Sequence, residues 1–270
     1  TNLASVTFLG NAPTIGNNVF TNIASGAIAY RAANLTGYGA DGSNFNGLVV
    51  ETTPSPEADF TFNSTTGFIT GYTGPGGAVV IPSTIGGTPV VGIGTYAFLG
   101  VTSLTSVLIP SSVTTLQDAA FYGCTSLTSV TIPNTVTRLG DYNTFFNCTA
   151  LVSVTIGSGV TSTGSGTFYG CSALVNVVIP SGITNIGDGT FANCSSLTSV
   201  TFLGNAPTVG INPFSGVATG ATAFRAANLT GYGADGDNFY GLIVATTPSP
   251  EADFTFNSST GVITGYTGPG

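Results

Sequence analysis

Apolar residues recur along this chain with a beat that no helix keeps. In LTSVTIPNTVTRLGDYNTFFNC, residues 127–148, the leucine, valine and isoleucine of L-x-x-V-x-I come first. Val136 and Leu139 follow, then Phe145. No 3.6-residue stripe runs long enough for a helix. The pattern predicts a short strand, a corner marked by Pro133, a second extended piece, and a compact turn that carries the phenylalanine.

The same set returns every 23 or 24 residues, anchored on Leu104, Leu127, Leu151, Leu174 and Leu197, with a divergent earlier copy over 78–98. A period of this length predicts a solenoid. Stacked coils superimpose equivalent residues, so one column holds Val107, Val130, Val154, Val177 and Val200. Another holds Phe98, Phe121, Phe145, Phe168, Phe191 and Phe214. Each coil can bury its apolar set only against its neighbours. With strands ~4.8 Å apart, six coils make a slab on the order of 25 to 30 Å long.

The composite L-x-S-V-x-I-P…V-T-x-I-G…F-x-x-C-x-x-L resembles the BspA-like (LRR_5-type) leucine-rich repeats of bacterial surface proteins, over roughly 78–217. The segment 66–94 looks like the opening of such an array, and 200–214 with 220–244 looks like its closing. The resemblance implies a leucine-rich-repeat solenoid, β-rich with short turns and 3-10 pieces. Its strands would form a parallel stack between opening and closing caps. It also implies a cell-surface or extracellular place, with adhesion to host matrix protein or glycans as one role.

A second, longer period encloses the first. Residues 1–76 align without a gap on 195–270, with 58 identities in the 76 positions. The repeat is 194 residues. We expect 1–51 to be the C-terminal part of a preceding unit and 52–245 to be one complete unit. That unit divides into a linker and opening cap (52–77), coils (78–203) and a closing cap (204–245). Residues 246–270 are expected to begin the next unit. With both ends inside units and no methionine, the chain is expected to be a mature product or a piece of something longer. The Pro-x-Pro of ETTPSPEAD, 51–59, predicts an extended connector.

Composition narrows the function classes. Charged residues are only 5% of the chain; lysine and histidine are missing, and the net charge is −8. Nucleic acid is therefore an unsuitable partner, because phosphate binding needs a basic footprint. Most general bases and activated nucleophiles are missing too, and no enzyme is expected. No apolar run reaches the roughly 18 residues of a membrane span. No cofactor is expected: the glycine-rich GYTGPGG, 71–77, lacks the lysine and Ser/Thr of a phosphate cradle.

The remaining candidate chemistry is sparse. Cys124, Cys148, Cys171 and Cys194 form one column. Val101 and Val217 take the same place in the bookend coils, and Ile23 in the earlier unit, so an apolar packing slot is expected there. Disulfide bridges are the alternative, since stacked Cα atoms fall within range although parallel Cβ vectors do not favour them. Glu57 with Asp59, and Glu251 with Asp253, read as a solvated joint rather than paired catalytic carboxylates. Asp235, Asp237 and Asn238 form an Asp-x-Asp fragment that could serve calcium, against an ordinary Asp/Gly turn. Sequons at Asn34, Asn63, Asn228 and Asn257 are glycosylation candidates. Asn147 and Asn193 carry sequons beside the cysteine column, where a glycan is harder to place.

Finally, the strand face is expected to present Ser106, Ser129, Thr131, Ser153, Thr155, Asn176, Ser199 and Thr201 as an uncharged contact surface. Its expected partners are copies of the same protein, head-to-tail or lateral, or glycans or a host surface protein. The leading expectation is a structural fibre or cell-surface stalk, with an adhesin as the alternative.

Overall fold

The computed structural model describes residues 5–8, 12–15, 20, 27–31, 37–38, 43–247, 254–257 and 262–266. The chain winds as a β-solenoid, and L-x-x-V-x-I, with Phe202 in the last copy, forms the five middle strands of its main face, extended at the ends by strands of other sequence. In chain order the strands of this face are Gly77–Val80, Leu104–Leu108, Ser129–Thr131, Ser153–Thr155, Asn176–Ile179, Ser199–Phe202, Thr222–Arg225 and Leu242–Thr246. Neighbours within each run pair in parallel, with Val107 opposite Val130, Val130 opposite Val154 and Val177 opposite Val200. The main sheet therefore runs on into the closing cap, which adds Thr222–Arg225 and Leu242–Thr246 in the same register direction. An antiparallel strand, Asn238–Phe239, ends it.

The V-T-x-I-G segments make a second, shorter stack. Phe68–Tyr72, Gly92–Ile93 and Thr115–Leu116 pair in parallel, and so do Ser162–Thr163, Asn185–Ile186 and Thr208–Val209. The third side of each coil is the F-x-x-C turn, and it is laddered as well. The amides of Phe121, Phe145 and Phe168 donate to the carbonyls of Thr144, Thr167 and Thr190 in the next coil, each at 2.8 Å. Coil-to-coil hydrogen bonds thus occur on all three sides, and they occupy backbone groups without helices.

Two turn positions per coil demand a left-handed backbone. Between the phenylalanine and cysteine slots, Gly123, Asn147, Gly170 and Asn193 have φ of 70°, 54°, 72° and 60°. Glycine and asparagine are the residues that visit this region at little cost. The other position, two residues before each phenylalanine, holds Asn143, Gly166, Gly189 and Asn212, but Tyr96 and Ala119 occupy it at φ 58° and 50°. An L-residue with no local hydrogen-bonding side chain is strained there by roughly 1–2 kcal/mol. Ala119→Gly is therefore expected to raise stability by about 1 kcal/mol, read as a higher urea midpoint at unchanged slope. An unchanged or lowered midpoint would count against that strain.

The core is the set of stacked columns. Phe98, Phe121, Phe145, Phe168, Phe191 and Phe214 are buried, with successive ring centroids 4.9–5.6 Å apart. From Phe121 onward the rings lie within 9° of parallel. Tyr72 extends the stack into the opening cap at 5.0 Å from Phe98. A half-buried second stack, Tyr122, Phe146 and Tyr169, runs beside it at 4.8 and 4.7 Å. Each cap closes on an aromatic cluster: Phe202, Tyr232 and Phe239 in one unit, and Phe8, Tyr38 and Phe45 in the one before. Among the described residues no helix is long and apolar enough to cross a membrane.

Candidate functional site

The strand face alternates as its sequence does. Val107, Val130, Val154, Val177 and Val200 turn inward, while Ser129, Thr131, Ser153, Thr155 and Asn176 are exposed. Ser106, Ser199 and Thr201 are half-buried. Leu108 and Val178 stand exposed among them at 42% and 47%, so the face is uncharged and mixed rather than a uniform hydroxyl array. The ladder beneath it is divided: one sheet ends at Ser153–Thr155 and the next begins at Asn176–Ile179.

The four cysteines are buried free thiols. Each sulfur donates to the phenylalanine carbonyl of the preceding coil: Cys124 to Phe98, Cys148 to Phe121, Cys171 to Phe145 and Cys194 to Phe168, at 3.1–3.3 Å. Val101 and Val217 pack against the same core at the two ends. Ile23 lies outside the described residues. The hydrogen bond with Cys124 and then burial push the Cys148 thiol well above its ordinary value, and burial does the same for Cys171. Burial pushes Cys194 up to about 12. Thiols held in their protonated form are poor nucleophiles and poor metal ligands.

The acidic candidates spend their oxygens locally. Asp235 accepts from the Thr246 hydroxyl at 2.7 Å and from the Arg225 guanidinium at 3.4 Å. The Thr246 hydrogen bond holds its carboxyl below the ordinary value, with Arg225 contributing less. Asp237 accepts from the Ala234 amide and Asn238 from the Gly241 amide. The three therefore brace the closing cap in separate turns, and among the described residues no three His, Cys, Asp or Glu side chains cluster as metal ligands. Asn63 and Asn228 are exposed, and Asn63 Oδ1 accepts from the amides of Thr65 and Thr66. Asn257 ends a strand, Phe254–Asn257; Asn34, Glu251 and Asp253 lie outside the described residues.

The segment 51–59 is more tightly built than its Pro-x-Pro suggests. Leu48–Thr52 pairs in parallel with Ile28–Arg31 of the preceding closing sheet, and the Thr53 amide donates to Arg31 O at 2.8 Å. Two residues on, the Ser55 amide donates to Val80 O at 2.8 Å, and the Val80 amide donates back to Ser55 Oγ at 3.0 Å. Val80 ends the strand Gly77–Val80, whose other edge pairs with Leu104–Leu108. One extended run thus takes partners from two sheets, the one that holds Ile28–Arg31 and the one that holds Gly77–Val80. It satisfies a strand edge that would otherwise be bare. Glu57 and Asp59, in a 3-10 turn, tie the run down further. Glu57 Oε2 accepts from the Gly86 amide at 3.0 Å, in the Gly86-Gly87 turn of a hairpin, and Asp59 O accepts from Thr73. The Glu57 carboxylate holds structure here instead of facing a cleft, and Asp59 contributes its backbone carbonyl. The Thr247 amide donates in the same way to Arg225 O at 2.8 Å, repeating the Thr53–Arg31 bond.

Sequence reasoning missed Ser55, whose hydroxyl is half of the clasp, and a cleft beside Arg138. The signal for the cleft was one extra residue: Leu127 to Leu151 spans 24 where its neighbours span 23.

No curated protein matches the chain. The model of the "BspA type Leucine rich repeat region" matches residues 91–219 in six copies. Among solved structures, a leucine-rich repeat protein of T. pallidum is 32% identical and covers 61% of this chain and 89% of that one, with a TM-score of 0.55. A leucine-rich cell surface protein of Faecalibacterium prausnitzii A2-165 is 30% identical over 53% of this chain and 52% of that one, with a TM-score of 0.36. A leucine-rich repeat protein of Eubacterium ventriosum is 22% identical over 80% and 65%, with a TM-score of 0.43. The matched segment is the one that forms the Phe and Cys columns, and the T. pallidum relative shares it across nearly its whole length, so the chain belongs to the BspA-type leucine-rich repeat family.

Proposed function

We propose that this chain is part of a non-enzymatic, extracellular or cell-surface protein whose tandem units form a fibre or stalk. The joint carries the reading. A flexible tether between modules needs no hydrogen bonds to either side, whereas Thr53, Ser55 and Glu57 bond to both. Near-identical units joined in this way repeat one spatial operation, and repetition of one operation gives a rod or helix. Low charge adds to this, because little repulsion opposes lateral packing of neighbours. The F. prausnitzii relative's description as a cell surface protein supports the location.

The test is negative-stain electron microscopy of chains carrying two, three and four units. Straight particles that lengthen by a constant increment per unit are expected. Ser55→Ala at each joint removes the acceptor for the Val80 amide, costs about 1 kcal/mol of joint closure, and should broaden the angles between units. Compact particles of variable bend in the unaltered protein would sink the reading. A second reading, an adhesin for host matrix or glycans, draws on the exposed and uncharged strand face. It predicts dispersed particles whose matrix binding is lost when Thr131 and Thr155 become lysine.

A further inference from the structure

The extra residue of the 24-residue coil can be placed. Tyr142 bridges to Ser165, and the Ala119 amide donates to Tyr142 O, so Tyr142 takes the position of Asp118 and Ser165. Gly140 lies against Gly164 and takes the position of Gln117. Asp141 is therefore the insertion. Its effect is local and specific. Thr137 donates to Thr114 O, and Thr184 to Thr161 O, but no such bond joins Thr161 to Thr137, and Ser162–Thr163 pairs only with Asn185–Ile186. The second strand stack opens between these two coils.

The opening is a cleft of about 440 Å³, within the roughly 300–1,000 Å³ of small-molecule sites. Arg138, Asp141 and Tyr142 stand on one side, and Thr161, Ser162 and Asn185 on the other. The Arg138 guanidinium donates to Asp141 at 3.2 Å, with both side chains about two-thirds exposed, so each keeps hydrogen-bonding capacity. Ser162 Oγ donates to Asn185 Oδ1 at 3.2 Å. Tyr142 is fixed through its amide, which donates to Asp118, yet its side chain leaves the residue 59% exposed.

We propose that this cleft binds a short neutral saccharide. A ring of hydroxyls needs interleaved donors and acceptors, and the Arg138–Asp141 and Ser162–Asn185 pairs supply both. The exposed Tyr142 ring supplies an apolar face for the C–H side of a pyranose. An anionic ligand is disfavoured by a net charge of −8, and an apolar one by the hydroxyl and amide lining. The site is independent of the fibre reading and would stand if units did not assemble.

The test is saturation-transfer NMR on the 270-residue chain with cellobiose, lactose, maltose and N,N′-diacetylchitobiose. At least one should bind with Kd of about 1 mM or tighter. Tyr142→Ala should weaken it at least about tenfold while thermal melting is unchanged. Deleting Asp141 should close the ladder and abolish binding, and Arg138→Gln gives a second weakened variant if that deletion fails to fold. The proposal is overturned if no sugar of the panel binds. It is also overturned if binding survives Tyr142→Ala and Arg138→Gln, or if the cleft takes an extended Ser/Thr peptide instead of sugars.

Discussion

Truncating Phe145 to alanine is expected to cost about 3–5 kcal/mol. Phe145 is fully buried between Phe121 and Phe168, with centroids 5.1 and 5.4 Å away and rings nearly parallel. The loss combines transfer of a large ring, a cavity on a rigid scaffold, and two stacking contacts of about 0.5–1.5 kcal/mol each. The position also decides the form of the result. Solenoid stability resides in the interfaces between neighbouring coils. A defect at Phe145 uncouples the coils before it from those after it, and one urea transition should become two. Phe146→Ala is the control: its ring lies in the half-buried outer stack, so a smaller loss with a single transition is expected. Equal losses at the two positions would show that the inner stack is not what joins the coils.

Alkaline pH should unfold the protein steeply. In the folded state Cys148, Cys171 and Cys194 hold their protons above the ordinary thiol value of 9.0, Cys194 up to about 12. Above pH 9 the unfolded chain releases these protons and the folded chain keeps them. The folded state then binds more protons, so the unfolding free energy falls as pH rises. Each such thiol contributes about 1.4 kcal/mol per pH unit, and three give about 4 kcal/mol per unit between pH 9 and the folded values. Urea midpoints at pH 8, 9, 10 and 11 measure the slope. The triple variant Cys148→Val, Cys171→Val and Cys194→Val borrows the residue found at Val101 and Val217, and it should lower the slope between pH 9 and 10 without loss at pH 7, leaving above pH 10 the part owed to buried Tyr232. An equal slope in that variant would place the titration elsewhere.

These expectations rest on positions that were legible before any coordinates. A period of 23 residues places Val on Val and Phe on Phe, because in a solenoid sequence register is spatial register. That is why the strand face, the ring stack and the alignment of the cysteines followed from spacing alone. What stayed hidden depends on partners outside the period. Ser55 looks like connector because its partner, Val80, is 25 residues away in a different kind of segment. The 24-residue coil announced an irregularity without its place, since either side of Leu139 could have absorbed the extra residue. Thr163, Thr167 and Thr190 are polar by composition, yet they are buried. The Thr163 and Thr190 hydroxyls lie 3.1 Å apart, and those of Thr167 and Thr190 donate to Gly164 O and Gly187 O. Hydropathy says that such a residue is polar; only the fold says that its hydrogen bond is internal.

The left-handed turn position has a consequence for reading genomes. The coil tolerates glycine or asparagine there, cysteine fills the next slot, and a small hydroxyl residue follows. Whenever drift chooses asparagine, the chain spells N-C-T or N-C-S, as it does at Asn147 and Asn193. Asn193 already gives its side-chain nitrogen to the Tyr169 hydroxyl at 2.6 Å. Such a triplet is a by-product of backbone curvature, and a tally of sequons across arrays of this kind counts turns before it counts sugars.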